Sequence, residues 1–112
     1  MYARVPVQVI LTATYNTFVV QSEADGYRLT IGDYDSTSST ASDMMSLANN
    51  QQFTTYDRDN DEEEGENCAV SFKGGFWYRK CADRYRITAT GEDCYWGDEQ
   101  LQNSVMYVMC TP

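Results

Sequence analysis

Between Asp57 and Glu66 stand seven acidic side chains, with Arg58 the only base among them. Asp57-Arg-Asp-Asn-Asp-Glu-Glu-Glu-Gly places carboxylates on alternate residues of a flexible stretch with a glycine near its end. That donor set suits a hard cation taking about six to eight oxygens. An EF-hand loop starting at Asp57 requires glycine at its sixth position and glutamate at its twelfth; Glu62 and Cys68 stand there instead, which excludes that motif. A solvated acidic loop is the competing reading, and for the run taken alone it is the default one. The four cysteines, Cys68, Cys81, Cys94 and Cys110, form an even set in a short chain, which points to a disulfide framework in an extracellular setting with three pairings open. Zinc is the rival, but there is no histidine and no Cys-x-x-Cys pair, so disulfides are preferred. Without histidine there is no ordinary Ser-His or Cys-His nucleophile, and the carboxylates cluster in one loop and do not face each other across a cleft. The expectation is that the chain is not an enzyme.

The elements that must position these residues are β-rich. Val5-Pro-Val-Gln-Val-Ile-Leu-Thr-Ala-Thr-Tyr15 reads as a strand with Pro6 at its start, and Thr17-Phe-Val-Val-Gln21 as a second. Tyr27, Leu29 and Ile31 alternate with Arg28 and Thr30, the pattern of a strand with one wet face, and Asp25-Gly26 supplies the turn before it. Ser36 to Ser42 is a polar loop, followed by a short helical turn at Asp43-Met-Met-Ser-Leu-Ala capped by Ser42 or Asp43. Gln52-Phe-Thr-Thr-Tyr56 is extended, and Ser104-Val-Met-Tyr-Val-Met109 reads as a terminal strand. Phe76-Trp-Tyr78 could stack a sugar, but burial of at least Trp77 in the core is the preferred reading. A chain of 112 residues is one domain by length. Its 17 acidic against 8 basic residues, net −9, repel a phosphate backbone, which speaks against nucleic acid and anionic membrane as partners. No apolar run approaches the roughly 20 residues of a membrane-spanning helix, so no membrane insertion is expected.

Asp57-Arg-Asp-Asn-Asp, followed by Asn67-Cys-Ala-Val-Ser-Phe-Lys-Gly-Gly-Phe-Trp-Tyr-Arg-Lys-Cys81, resembles the C-terminal half of the fibrinogen-related domain found in fibrinogen chains, ficolins, tachylectins, angiopoietins and tenascins. Upstream, Tyr15-Asn-Thr-Phe-Val-Val-Gln-Ser-Glu-Ala-Asp-Gly-Tyr-Arg-Leu-Thr-Ile-Gly-Asp-Tyr34 fits the same family in order and spacing, and the likeness runs from about Tyr15 to Cys81. Around Cys68 it looks nearest to the ficolin and tachylectin branch. The resemblance implies an α+β, β-rich fold: a small twisted antiparallel sheet with long disulfide-stapled, calcium-binding loops. It makes residues 1–112 a single truncated domain, with sheet strands in 1–35, the calcium and disulfide loops in 52–81 and a divergent segment in 82–112.

The resemblance also implies a calcium (Ca2+) site with Asp59 and Asp61 as carboxylate ligands and the carbonyls of Glu63 and Gly65 as further ones. It implies a Cys68–Cys81 disulfide, after which counting leaves Cys94 and Cys110 for each other. A recognition pocket is implied beside Cys81, where a cis peptide at Lys80-Cys81 would present an amide to an acetyl group and Phe72 would hold the position of a pocket tyrosine. Ala82 stands where the family carries histidine, and Ala82-Asp-Arg-Tyr-Arg-Ile-Thr-Ala-Thr-Gly-Glu-Asp-Cys94 is shorter than the family's loop. The expected function is calcium-dependent, lectin-like binding of acetylated glycans in innate-immune recognition, with a protein-binding, matrix or signalling module as the alternative. The partner is thus a glycan or an extracellular protein. A secreted location is expected although no signal peptide is visible, and the family's N-terminal subdomain is not found in the chain. Its absence leaves the strand edge at Val5–Val20 to an oligomer or a second segment.

Overall fold

The computed structural model describes residues 10–109. Its central hairpin joins β1 (Tyr15–Val20) to β2 (Leu29–Tyr34) in antiparallel register, with Phe18 opposite Ile31 and Val20 opposite Leu29. The connection tightens into a 3-10 turn at Glu23–Asp25, and Gly26 follows it at φ +60°, a left-handed conformation that glycine reaches without a Cβ clash. The alternation expected over Tyr27 to Ile31 holds from Leu29 on, with Leu29 and Ile31 buried and Thr30 exposed; Tyr27 is 46% exposed at φ +55° and belongs to the turn, which corrects its place on the buried face. On its other side β2 meets the Asn49–Gln51 segment, with the Leu29 amide donating to the Gln51 carbonyl (2.9 Å) and the Ile31 amide to the Asn49 side chain (3.0 Å). Among the described residues β1 has β2 as its only strand neighbour. Of the first expected strand, Val5 to Val9 lie outside the described residues, and residues 10–14 form no ladder with a strand.

The expected helical turn near Asp43 is a 3-10 turn at Met45–Ala48. Asp43 accepts from the Ser46 amide (3.3 Å) and hydroxyl, which makes it and not Ser42 the residue that closes the turn. Gln52 to Thr55 is extended, Tyr56 entering a turn closed by a Thr55–Arg58 bridge, and the segment pairs with the aromatic block at Thr54 and Phe76, with both backbone bonds made (2.9 and 3.1 Å).

A short helix, α1 (Cys68–Phe72), was not foreseen from Ala69-Val-Ser-Phe. Asn67 caps it, its side-chain oxygen accepting from the amides of Ala69 (2.8 Å) and Val70 (3.2 Å) and so satisfying two donors that a helix start leaves open. Lys73 ends it at φ +59°, and Gly74 follows where a Cβ would lie 2.5 Å from the Thr88 carbonyl oxygen. The divergent segment thus rests directly on the backbone of the helix end.

The core is aromatic. Trp77 is only 9% exposed and Phe76 and Tyr78 less, which assigns the block to packing and removes it as a sugar platform. Phe18 and Phe53 meet the Trp77 ring edge-on, and the polar ends are all bonded: Trp77 Nε1 to the Tyr27 carbonyl (2.8 Å), Tyr78 hydroxyl to the Gly74 carbonyl (2.6 Å), Tyr85 hydroxyl to the Trp77 carbonyl (2.8 Å). In the C-terminal part, β3 (Tyr95–Trp96) and β4 (Glu99–Gln100) form a minimal hairpin, and Trp96 Nε1 reaches back to the Ser42 carbonyl (2.7 Å). The expected terminal strand is a correction: among the described residues Ser104–Met109 pairs with no strand, and Val105, Tyr107 and Met109 are exposed. β-branched and aromatic side chains favour a pleated surface only where a neighbouring strand offers one. No helix among the described residues is long and apolar enough to cross a membrane.

Candidate metal loop and recognition edge

The acidic run leaves the Thr54–Phe76 bridge and is tied to it by Asn60, whose amide donates to Thr54 Oγ1 (3.1 Å) and whose side chain donates to the Phe53 carbonyl (2.8 Å). Asn67 fixes the far end through the Thr55 carbonyl (3.0 Å). The loop is therefore held at both ends by side-chain amides, and the carboxylates between them are free to order its interior.

Asp61 sits at the centre. Its carboxylate accepts from the Glu63 amide (2.9 Å) and the Cys68 amide (3.0 Å), and its own amide donates to Asp59 (3.2 Å). Burial pushes the Asp61 carboxyl above its ordinary value, the two amides pull the other way, and the Asp59 charge alongside adds to the upward push. Asp59 and Asp61 are thus brought together, as expected. The carbonyls of Glu63 and Gly65 accept no hydrogen bond among the described residues. A pair of adjacent carboxylates and two carbonyls without donors is an all-oxygen set, which fits the chemistry of a hard cation. Asp61, Cys68 and Cys81 also bring one potential ligand atom each within 4.8 Å of one another, but the two sulfurs are bonded together and neither can be a thiolate ligand.

The Cys68–Cys81 disulfide is present, with the Cα atoms 5.2 Å apart. The other expected bridge has one end, Cys110, outside the described residues; Cys94 is buried and has no disulfide partner among the described ones. Burial raises its thiol above the ordinary value.

Of the three expected recognition residues, two meet and one turns away. Phe72 and Cys81 both contact Arg86, whose guanidinium lies 4.4 Å from the Phe72 ring centre and whose Nη1 donates to the Cys81 carbonyl (3.3 Å). Lys80 points to the acidic loop, its ammonium donating to the Glu62 carbonyl (3.0 Å). The peptide bond before Cys81 is trans, as are all those described, which corrects the expected cis bond. A non-proline cis bond costs about 3 kcal/mol unless its surroundings enforce it. Here the Cys81 amide already has an acceptor, Glu63 Oε1 at 3.3 Å.

The sequence reading passed over the arginines of the divergent segment. Arg86 is 8% exposed, its Nε donates to the Asp93 carbonyl (3.1 Å), and its guanidinium also lies 5.2 Å from the Tyr95 ring centre. Arg84 approaches the same ring at 4.8 Å. The signal was present as Arg84-Tyr-Arg86 in a strongly acidic chain, but the partner ring lies beyond Cys94, where no motif leads to it.

Short antiparallel sheets, few helices and a disulfide closing onto an acidic loop define a fibrinogen-like globe. The chain belongs to the family described as the C-terminal globular domain of fibrinogen beta and gamma chains, whose profile matches residues 6–110. It is 44% identical over 69 residues to Ryncolin-4 of Cerberus rynchops, covering 62% of this chain and 19% of that one. It is 43% identical over 70 residues to angiopoietin-related protein 6 of Mus musculus, covering 62% and 14%. The fibrinogen-like globe domain of human ANGPTL6 superposes with a TM-score of 0.62 at 36% identity, covering 70% of this chain and 33% of that structure. The chain therefore spans under a fifth of these curated relatives and a third of the solved globe. Near-equal identities to proteins of different names do not single out the ficolin and tachylectin branch, which corrects that expectation. The family is one of recognition modules and not of enzymes.

Proposed function

We propose that this chain is a calcium-dependent extracellular recognition module with lectin-like binding of acetylated glycans in innate-immune recognition. The observation that carries the reading is the pair of bonds locking the acidic loop to the disulfide loop, Cys68 amide to Asp61 and Lys80 ammonium to the Glu62 carbonyl. Through them the geometry of the proposed metal loop reaches the edge where Phe72, Lys80 and Cys81 stand. In this reading Asp59 and Asp61 supply carboxylate oxygens and Glu63 and Gly65 supply carbonyls. A bound calcium ion supplies the positive charge that two adjacent carboxylates lack. The buried disulfide fits a secreted protein, since such bonds persist in oxidising compartments.

The test is thermal unfolding of the oxidised protein with and without calcium, repeated in an Asp59→Ala, Asp61→Ala double variant. Calcium should raise the midpoint of the parent chain and leave the variant unmoved; an unmoved parent rejects the metal. The metal-free chain offers a check by pH. Because the Asp61 carboxyl is raised on folding, its contribution is present below its unfolded value and lost as pH rises through the folded one. Calcium or Asp61→Asn should flatten that loss.

A protein-binding, matrix or signalling role is the second reading, and one observation favours it: the Cys81 amide is engaged by Glu63 and so is not presented to an acetyl group. Calcium stabilisation without glycan binding would select it. The side of β1 that has no strand neighbour among the described residues, where Val19 and Val20 are exposed, is in both readings the place for a second copy or a further segment.

A further inference from the structure

Cationic side chains are scarce in this chain, and three of the seven described ones are tied down by a carboxylate or a loop carbonyl. Arg28 pairs with Asp25 (3.2 Å), Arg79 with Asp83 (2.7 Å), and Lys80 with the Glu62 carbonyl. Arg58 and Lys73 are exposed and make no side-chain bond among the described residues, whereas Arg84 and Arg86 come together against one ring. Neither has a carboxylate partner among the described residues, and the Arg84 side chain makes no hydrogen bond there at all. Buried arginines are ordinarily paired with an anion. Arg86 has instead two carbonyls and two ring faces, which satisfy donors without neutralising its charge. Its Nη2 donates to nothing among the described residues.

The surroundings open the cluster outward. Arg84 is exposed, Tyr95 and Phe72 are half-buried, and the two guanidiniums share the Tyr95 ring. A guanidinium offers a planar fork matched to an oxyanion, and aromatic rings beside it offer a face to the apolar side of a sugar. We propose that Arg84 and Arg86, held against Tyr95 and Phe72, form an anion subsite that takes the carboxylate of a uronic-acid-bearing glycan. The subsite rests on the glycan reading above and narrows it from neutral acetylated sugars to acidic ones. Phe72 then serves as a seat for Arg86, and the divergent segment supplies the charge.

The experiment is calorimetric titration of the calcium-supplemented protein with a hyaluronan tetrasaccharide and with chitotetraose. Both probes carry N-acetylglucosamine, and only the first carries carboxylates. The parent chain should bind the carboxylated probe about tenfold more tightly, the worth of one charge-assisted hydrogen-bonded contact. Arg84→Gln should erase the preference while lowering the melting temperature only slightly, because that exposed side chain has no hydrogen bond and a single ring contact to lose. Arg84→Lys, keeping charge without the fork, should fall between. Equal affinity for the two probes, or a preference that survives Arg84→Gln, overturns the subsite and leaves glycan recognition standing. Binding of neither probe overturns both and selects the protein-binding reading.

Discussion

The stretch from Asp57 to Cys81 and the stretch from Ala82 to Met109 meet at one cysteine and are held by different forces. The first is ordered by polar bonds of short sequence reach: Asp61 takes two amides, Asn67 caps α1 and anchors Thr55, and a disulfide closes the loop. The second leans on contacts from elsewhere, with Arg86 wedged between Phe72 and Tyr95, Trp96 bonded to Ser42, and Thr88 resting on Gly74. Local polar closure makes a region self-sufficient; borrowed packing makes a region depend on its neighbours. The end of the second stretch, with Tyr107 79% exposed, borrows little and is correspondingly bare.

Removing the closure should have the largest effect. A Cys68→Ser, Cys81→Ser pair releases a loop of 13-residue separation and should cost about 3 kcal/mol, measured by denaturant unfolding. A loss near zero would mean that the polar bonds suffice alone and that the contrast is overstated. Next comes the wedge: Arg86→Met keeps volume but removes two carbonyl bonds and both ring contacts, and should cost about 1–3 kcal/mol. Unfolding followed at Trp96 and at Trp77 separately would show whether the second stretch loosens first. If both probes move together, the two regions form one cooperative unit. The smallest effect belongs to Tyr107→Ser, within about 0.5 kcal/mol by thermal unfolding, as for other exposed sites. A larger cost would reveal packing by a partner.

What was legible in the sequence follows the same division. The Leu29 and Ile31 alternation, the Asp25-Gly26 turn and the proximity of Asp59 to Asp61 are written in adjacent residues, and they appear as read. The Cys68–Cys81 pair came from a family likeness whose motif is contiguous. What was missed depends on distance along the chain or on neighbours. Asn67 as a cap gives α1 only once Cys68 is fixed by Asp61, and Arg86 has meaning only when Tyr95 folds back over it. Ser104–Met109 has a strand's composition and no strand beside it among the described residues.

The seat of Thr88 on Gly74 sets a rule for anyone wishing to graft a different recognition surface onto this scaffold. The residues after Tyr85 are the natural cassette to exchange, since Tyr85 itself is buried against Phe76 and bonded to the Trp77 carbonyl. Any insert must still run its backbone across the helix end at one point, because the space there admits a peptide and excludes a side chain. An insert designed for ligand contacts alone, without that crossing, would leave the aromatic core open at Tyr78. If the proposed subsite sets specificity, that specificity is exchangeable as a whole strap and not residue by residue at its tip.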